Sequence, residues 1–291
     1  MREAMYVQTG SGRLAVRLSR GARTPVLLIH GNSMSGRVFE GLLDSPLGRS
    51  HRLVAVDLPG HGLSDNAVHP DKAYTVPGYA DALLDVLFAL NISEAIVCGW
   101  SLGGHVALEM MARSPLVSGS FVTAAPPVSP GPEAICGYNM SEELVLFMTE
   151  ALEEAQMRKL AEISVGAAAS QSAYEDVVRT DGRARPIVVQ NMLNGVGADP
   201  RPLFGNAARP IALVVGEEEA GLSQTFMQSI NGPGLWRGAV QTIPGAKHAP
   251  FLETPEVFAA LLLQFIRDIA KLRQARPAPI TPEAPPKRRT A

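Results

Sequence analysis

Ser101 stands at the centre of Gly99-Trp100-Ser101-Leu102-Gly103, with an apolar run, Ala95-Ile96-Val97-Cys98, ahead of it and a helical pattern, Val106 to Met111, behind. A serine set between two glycines where a buried strand turns into a helix projects its hydroxyl from a sharp turn, because small neighbours let the two backbones pass closely. That hydroxyl is a poor nucleophile until a base accepts its proton, and the base needs an acid to orient it. The chemistry implied is attack on an acyl carbonyl.

In a strand–turn–helix site of this kind the partners follow in the order serine, acid, histidine. His248 lies on Gly245-Ala246-Lys247-His248, after the last apolar run and just before the final helical pattern, and is the candidate base. His105 falls on the helix stem, where packing or capping is expected. His30 and His61 sit in loop motifs where imidazole braces backbone, and His51 and His69 read as surface residues. For the acid, Glu217-Glu218-Glu219 follows the apolar run Ile211 to Val215 and Gly216. The third position after the glycine makes Glu219 the candidate, with Glu218 its rival and Glu217 a solvated charge. Asp57 also ends an apolar run, but Leu58-Pro59-Gly60-His61-Gly62 behind it reads as a structural turn. The oxyanion of an acyl-transfer intermediate needs donors aimed in advance. The backbone N–H of Leu102, at the helix N-terminus, and that of Asn32, after His30-Gly31, are the candidates. The Asn32 side chain either reaches the substrate or braces its loop.

The elements that must position these groups are legible as alternation. Ala4 to Thr9 and Leu14 to Leu18 flank Gly10-Ser11-Gly12 and predict a hairpin. Apolar runs at Val26–Ile29, Leu53–Asp57, Ala95–Gly99, Gly119–Ala124, Ile211–Val215 and Val240–Ile243 predict strands buried on both faces. Helical patterns lie between them, notably Tyr79 to Leu90 and Val257 to Ile269. Strand–helix alternation predicts an α/β chain with a mostly parallel, twisted sheet covered by helices on both faces. Each strand ends in a chemically loaded loop, as expected at the carboxyl edge of such a sheet. From Pro126 to Pro210 only helical patterns appear (Glu142 to Ile163, Tyr174 to Arg179, Pro186 to Val196), which predicts an inserted helical cap. The expected division is a core of residues 1–125 and 207–274, a cap of 126–206, and a disordered, proline-rich basic tail of 275–291.

With 46% apolar and 19% charged residues, 291 residues can bury one large core, and a formal net charge of −2 points to neither a nucleic-acid nor a membrane partner. Cys98 and Cys136 make no disulfide framework or metal motif, and Cys98 reads as a small buried hydrophobe. No signal-like or membrane-length apolar run is present, so a cytoplasmic location is expected. No metal or other cofactor is expected, because the histidines lie on separate loops.

His30-Gly31-Asn32-Ser33, Asp57-Leu58-Pro59-Gly60-His61-Gly62, Gly99 to His105, Ala125-Pro126-Pro127, Arg179 to Arg185, Leu235-Trp236 and Lys247-His248-Ala249-Pro250-Phe251 together resemble the α/β-hydrolases, over residues 5–272. Within them the chain is similar to the metal-independent N-acyl-homoserine lactonases, chiefly through the segment around Thr180 and the Leu235-Trp236 pair. The resemblance implies a serine hydrolase that opens the lactone ring, with a glutamate as the acid. The substrate contacts it suggests are Asn32, Trp100, Phe147 and Leu160. Leu160 falls where these enzymes carry a cap tyrosine facing the lactone, so that hydroxyl is lacking here. Leu144, Phe147, Met148, Met157, Leu160, Met192 and Leu193 either line an acyl-chain tunnel or pin the cap to the core. A small acyl ester or lactone is the expected substrate. Carboxylesterase or thioesterase chemistry on other acyl compounds is the alternative, and attack through an acyl-enzyme or directly by water stays open. Dehalogenase and epoxide-hydrolase chemistry is disfavoured because the elbow carries serine, not aspartate. A non-enzymatic receptor of the same fold is disfavoured because all three candidate residues are present.

Overall fold

A computed structural model describes residues 3–166 and 171–275. The expected tail therefore lies, except for Ala275, outside the described residues.

Eight strands form one sheet in the order β1-β2-β4-β3-β5-β6-β7-β8. They are β1 (Met5–Thr9), β2 (Gly12–Leu18), β3 (Arg23–Ile29), β4 (His51–Val56), β5 (Ala95–Trp100), β6 (Val117–Thr123), β7 (Ile211–Gly216) and β8 (Gln241–Ile243). The first two make the hairpin, with Thr9 opposite Gly12, and β2 joins β4 antiparallel. From β4 to β8 every pairing is parallel. The continuous apolar runs are explained by burial on both sides. Leu27 and Ile29 enter one apolar cluster with Leu83, Val86, Val106 and Met110, while Val26 and Leu28 enter the other with Phe121, Phe258 and Phe265.

Helix Val76–Ala89 begins where the Thr75 hydroxyl accepts the Gly78 N–H at 3.0 Å, with Pro77 in the first turn, and buries Tyr79, Leu83, Val86 and Leu87. Helix Pro255–Gln274 buries Phe258, Leu262, Phe265, Ile266 and Ile269, one stripe at helical spacing, on the opposite face of the sheet. Three short helical turns between Gly36 and Ser50 have no counterpart in the sequence reading.

Between β6 and β7 the described residues contain no strand, only helices and 3-10 turns. The single helix expected from Glu142 to Ile163 is instead a 3-10 turn, Glu142–Met148, and a helix, Glu154–Val165. Two causes separate them. Glu153 and Gln156 form a reciprocal capping box that starts the second helix, and the carbonyls of Thr149 and Glu150 are both taken by the Arg185 guanidinium, at 2.7 Å each. The insertion is fastened to the strand-end loops by buried polar contacts. Asp176 accepts from Ser35 Oγ at 2.9 Å and from Arg37 at 2.8 Å, Asp181 accepts from the Tyr74 hydroxyl at 2.7 Å, and Arg179 donates to the Ser64 carbonyl at 2.6 Å.

The loop histidines act as braces. His30 Nδ1–H donates to the Gly31 carbonyl at 2.7 Å and Nε2 accepts the Leu58 N–H at 2.9 Å, tying the loop after β3 to the loop after β4. His61 Nδ1 donates to the Pro59 carbonyl at 3.0 Å, and His105 meets the Tyr138 hydroxyl at 2.6 Å. His51, read from sequence as a surface residue, is instead buried at 7% exposure, because the helical turn Pro46–Ser50 covers it and Ser50 Oγ meets its ring at 2.8 Å.

Burial holds the His30 and His105 imidazoles down to about 4, and burial together with the neighbouring His30 holds His61 down to about 3. These three rings stay neutral in the fold but charge near pH 6.5 in the unfolded chain, so the stability they contribute is present above that pH and lost as pH falls. Asp176, pushed up to about 6 by burial against the pull of Arg37, opposes them with the reverse sign. These four groups together leave roughly two extra protons on the unfolded chain near pH 5.5, or ~3 kcal/mol of stability lost per pH unit. His51, also lowered by burial, acts in the same direction. Urea denaturation between pH 7 and 5 is expected to show this slope, and His105→Gln to flatten it by roughly half.

Candidate active site

β5 delivers Ser101 into a backbone conformation of φ 53° and ψ −120°, outside what a serine ordinarily adopts. Two hydrogen bonds hold it there, Ser101 N–H to the Thr123 carbonyl at 2.9 Å and Gly104 N–H to the Ser101 carbonyl at 2.8 Å. The flanking glycines are obligatory. A Cβ on Gly99 would stand 2.0 Å from the Gly103 carbonyl oxygen, and one on Gly103 would stand 2.2 Å from that of Ile29. Ser101 occupies the N-cap position of helix Leu102–Arg113 but makes no capping bond with its side chain, so the hydroxyl that would ordinarily finish the helix is left for other work.

The acid and base loops are stitched together before their side chains meet. Glu217 N–H donates to the Ile243 carbonyl at 2.9 Å and Glu218 N–H to that of Ala246 at 2.8 Å. Glu219 Oε2 then accepts from His248 Nδ1 at 2.7 Å, and Oε1 accepts the Gly221 N–H, also at 2.7 Å. Burial raises the Glu219 carboxyl, but the His248 imidazole and the Gly221 N–H more than offset this and leave it below its usual range. Glu218, the rival acid, is exposed and lies 3.9 Å from Lys247, and Glu217 is exposed and accepts the Gly245 N–H at 3.1 Å. The structure therefore brings Glu219, and neither neighbour, to the histidine.

With Nδ1–H committed to Glu219, His248 Nε2 is the ring's free acceptor. Trp100 spans the gap to the serine. Its indole N–H donates to the His248 carbonyl at 2.7 Å, and its ring packs against His248 and Phe251 at 5.7 and 5.1 Å between centroids. Among the described residues Ser101 Oγ has no hydrogen-bond partner.

The Asn32 loop closes on the other side. A Cβ on Gly31 would lie 3.2 Å from both Ser101 Cβ and the Trp100 ring, a tight contact, so glycine lets the next peptide approach without displacing either. Neither the Asn32 nor the Leu102 backbone N–H donates to a protein acceptor among the described residues. Both are candidates for a substrate oxygen, and the helix N-terminus adds its partial positive charge at Leu102. The Asn32 side chain is tied at both ends, its Oδ1 accepting from Ser33 Oγ at 2.8 Å and its Nδ2 donating to the Phe147 carbonyl at 3.4 Å. Of the other expected substrate contacts, Phe147 is half-buried over this loop, while Trp100 and Leu160 are 1% and 0% exposed within one apolar cluster. Sequence reasoning missed the Trp100–His248 bond and the Arg185 contacts. The adjacency of Trp100 to the nucleophile and of Arg185 to the Thr180 segment were the only signals for them.

A family model described as the alpha/beta hydrolase family matches residues 26–261. The chain belongs to the alpha/beta hydrolase family. A pimeloyl-[acyl-carrier protein] methyl ester esterase of Xanthomonas oryzae pv. oryzae is 29% identical over 261 residues, covering 84% of this chain and 95% of that protein. One of Nitrosospira multiformis is 25% identical over 265 residues, covering 86% and 97%. Among solved structures, the N-acyl homoserine lactonase AidH, in complexes with N-hexanoyl homoserine lactone and with N-butanoyl homoserine, is 39% identical with a TM-score of 0.89. Each of these covers 92% of this chain, with 99% and 98% of the other. Among the described residues no cluster of three or more histidine, cysteine or acidic side chains is arranged to hold a metal ion, and no helix is long and apolar enough to cross a membrane.

The geometry separates the glutamates experimentally. Glu219→Gln is expected to lower kcat on an activated aryl ester by on the order of 10⁴-fold through loss of the correct imidazole tautomer. Glu218→Gln should change it by less than about twofold, since exposed charges at this distance contribute little.

Proposed function

We propose that this protein is a serine hydrolase that opens the ring of N-acyl-homoserine lactones through Ser101, His248 and Glu219, with the Asn32 and Leu102 N–H groups as the oxyanion hole. The observation that carries the reading is the 2.7 Å Glu219–His248 contact beside the Ser101 elbow, in a chain that follows a lactonase along nearly its whole length at a TM-score of 0.89.

In the reaction, His248 Nε2 accepts the Ser101 proton as Oγ attacks the lactone carbonyl carbon. The carbonyl oxygen becomes an oxyanion facing the two N–H donors, each worth about 3 kcal/mol of barrier. Collapse of this intermediate breaks the ring C–O bond, and imidazolium Nε2–H protonates the departing alkoxide, which stays attached as the hydroxyl of the acyl-enzyme. His248 then draws a proton from water as the hydroxide attacks the acyl carbonyl. On collapse the Oγ–acyl bond breaks and imidazolium Nε2–H returns the proton to Ser101 Oγ, releasing the open acid and the free enzyme. Glu219 keeps the ring oriented and balances its charge without taking the proton. Phe147, over Asn32, contacts the acyl part. Trp100 and Leu160 lie behind the site, fully packed in the apolar cluster, with the Trp100 N–H committed to His248.

The methyl-ester esterase relatives support a second reading, hydrolysis of an ester on a carrier-bound acyl chain. One feature weighs against it. The insertion exposes Glu142, Glu143, Glu150, Glu153, Glu154 and Glu162 against Arg158, Lys159, Arg179 and Arg201, so a carrier presenting negative charge to this face would meet an excess of like charge.

The test is to follow acid release from N-acyl-homoserine lactones of several chain lengths, from carrier-bound and free methyl esters, and from aryl esters, with and without EDTA. Lactone opening is expected to survive EDTA and to fall by at least about 10³-fold in Ser101→Ala. Turnover of the methyl esters without the lactones would replace this reading with the second.

A further inference from the structure

We propose that Arg185 is a positioning residue for the oxyanion hole, fixing Ser33 and, through Ser33, the Asn32 peptide that faces Ser101. The inference rests on the serine-hydrolase reading above and is independent of which ester the protein cleaves.

Arg185 is the second residue of helix Ala184–Leu193 in the insertion and is 3% exposed. A buried guanidinium normally sits against a carboxylate, because leaving its charge unpaired in a low-dielectric setting is costly. Among the described residues no carboxylate makes an ion pair or hydrogen bond with it. Its donors go to neutral oxygens instead: Nε to the Thr149 carbonyl and Nη2 to that of Glu150, both at 2.7 Å, and Nη1 to Ser33 Oγ at 3.4 Å. Burial accordingly pulls the group below the usual arginine range, with Asp181 and Glu150 opposing from a distance, yet a guanidinium stays charged at any physiological pH.

The direction of every bond then follows. A guanidinium only donates, so Ser33 Oγ accepts from Arg185 and its single proton goes to Asn32 Oδ1 at 2.8 Å. That fixes which end of the Asn32 amide is oxygen, and Nδ2 is left to donate to the Phe147 carbonyl at 3.4 Å. Phe147 leads directly into Thr149 and Glu150, whose carbonyls Arg185 holds. The contacts form a closed ring: Arg185, Ser33, Asn32, Phe147, and the chain back to Thr149. Ser33 itself has φ 61°, in the left-handed region, so this loop needs outside restraint to keep its shape. The peptide it carries is the one that Gly31 brings against Ser101. The ring also places a permanent positive charge one hydroxyl behind Asn32, on the side of the site where negative charge develops.

A purely structural role would make Arg185 one more strap between insertion and core, like Arg179, which binds Asn66 Oδ1 and the Ser64 carbonyl without touching the Asn32 loop. Two features favour positioning. Its neutral partners lie on both sides of Asn32, and it reaches Asn32 through a single hydroxyl that can be removed while both carbonyl contacts remain.

The experiment measures the second-order rate at which Ser101 is labelled by an alkyl fluorophosphonate, together with kcat and KM on p-nitrophenyl butyrate and the melting temperature. The variants are Ser33→Gly, Arg185→Lys, Arg185→Met, the Ser33→Gly/Arg185→Met double, and Arg179→Gln. Ser33→Gly suits the positive φ and removes the hydroxyl together with its Cβ, leaving the Arg185 contacts to both carbonyls in place. Labelling needs the activated Ser101 and the oxyanion hole but no lactone, so it reports on the ring even if the protein proves inert toward lactones. Ser33→Gly and Arg185→Met are each expected to slow labelling and lower kcat by on the order of 10²-fold, with KM within about threefold. Arg185→Lys should retain part of the loss as charge without the fork. The double should be no slower than the worse single by more than about threefold, since both cut one chain of contacts. Arg179→Gln should lower the melting temperature and leave the labelling rate unchanged. Labelling at the parent rate in Ser33→Gly overturns the proposal even if the Arg185 variants fail to fold, and so does an Arg179→Gln variant slowed as much as Arg185→Met.

Discussion

The Ser101 backbone is held at a φ of 53° that costs a side-chain-bearing residue on the order of 1–3 kcal/mol, and the rest of the site is arranged around keeping it there. The restraint comes from the sheet. β5 lies between β3 and β6, buried on both faces, so relaxing the serine would mean breaking its bond to Thr123 and shifting a central strand. Gly99, Gly103 and Gly31 are consequences of the same constraint. A turn this tight presses backbone on backbone at Gly99 and Gly103, where a Cβ is excluded, and leaves little room for one at Gly31 beside the Ser101 and Trp100 side chains.

Once the serine is fixed, its partners are placed by backbone pairing before side-chain chemistry enters. β7 pairs with β8 up to Gly216 and Ile243, and the Glu217 and Glu218 N–H groups continue the bonding to the Ile243 and Ala246 carbonyls, which brings Glu219 beside His248. A glutamate is one methylene longer than an aspartate, and the hydrogen bond from Gly221 to its second oxygen takes up that extra freedom. Trp100, next to the nucleophile in sequence, secures the histidine loop through its carbonyl, so one strand end locates both serine and base. His30 does the equivalent for the Asn32 loop by bridging Gly31 and Leu58. Burial keeps that ring neutral, which leaves one nitrogen to donate and the other to accept.

The buried strands were legible because a strand covered on both faces leaves an uninterrupted apolar run, and the loops were legible because they follow those runs. Ser101 and His248 are legible as candidates from the motif and this order, which for the acid narrows the choice to the glutamates after Gly216. Glu219 was separable from Glu218 only by its distance from Gly216, and the structure shows why: the first two glutamates are consumed by strand-edge pairing. The insertion read less well. Its helices are short and bury mixed faces, and the break near Thr149 depends on an arginine more than thirty residues away, which no local periodicity reports. His51 was misread for a related reason, since its cover comes from the turn Pro46–Ser50, whose pattern is too short to register.

The segment from Asp176 to Arg185 shows what the insertion adds. It reaches four places on the core, Ser35 and Arg37 through Asp176, Ser64 and Asn66 through Arg179, Gly60 and Tyr74 through Asp181, and Ser33 through Arg185. All of these belong to the loops that follow β3 and β4, not to the sheet itself. Apolar packing would hold an insertion in place but would tolerate sliding, because it is non-directional. Buried hydrogen bonds and charges do not, because each displaced group is left unpaired. The insertion is therefore seated in register with the loop that carries Asn32. On the proposed reading, an acyl group held by the insertion and an oxyanion held by that loop would share one fixed distance, which a chemical step requiring both to be aligned with Ser101 needs.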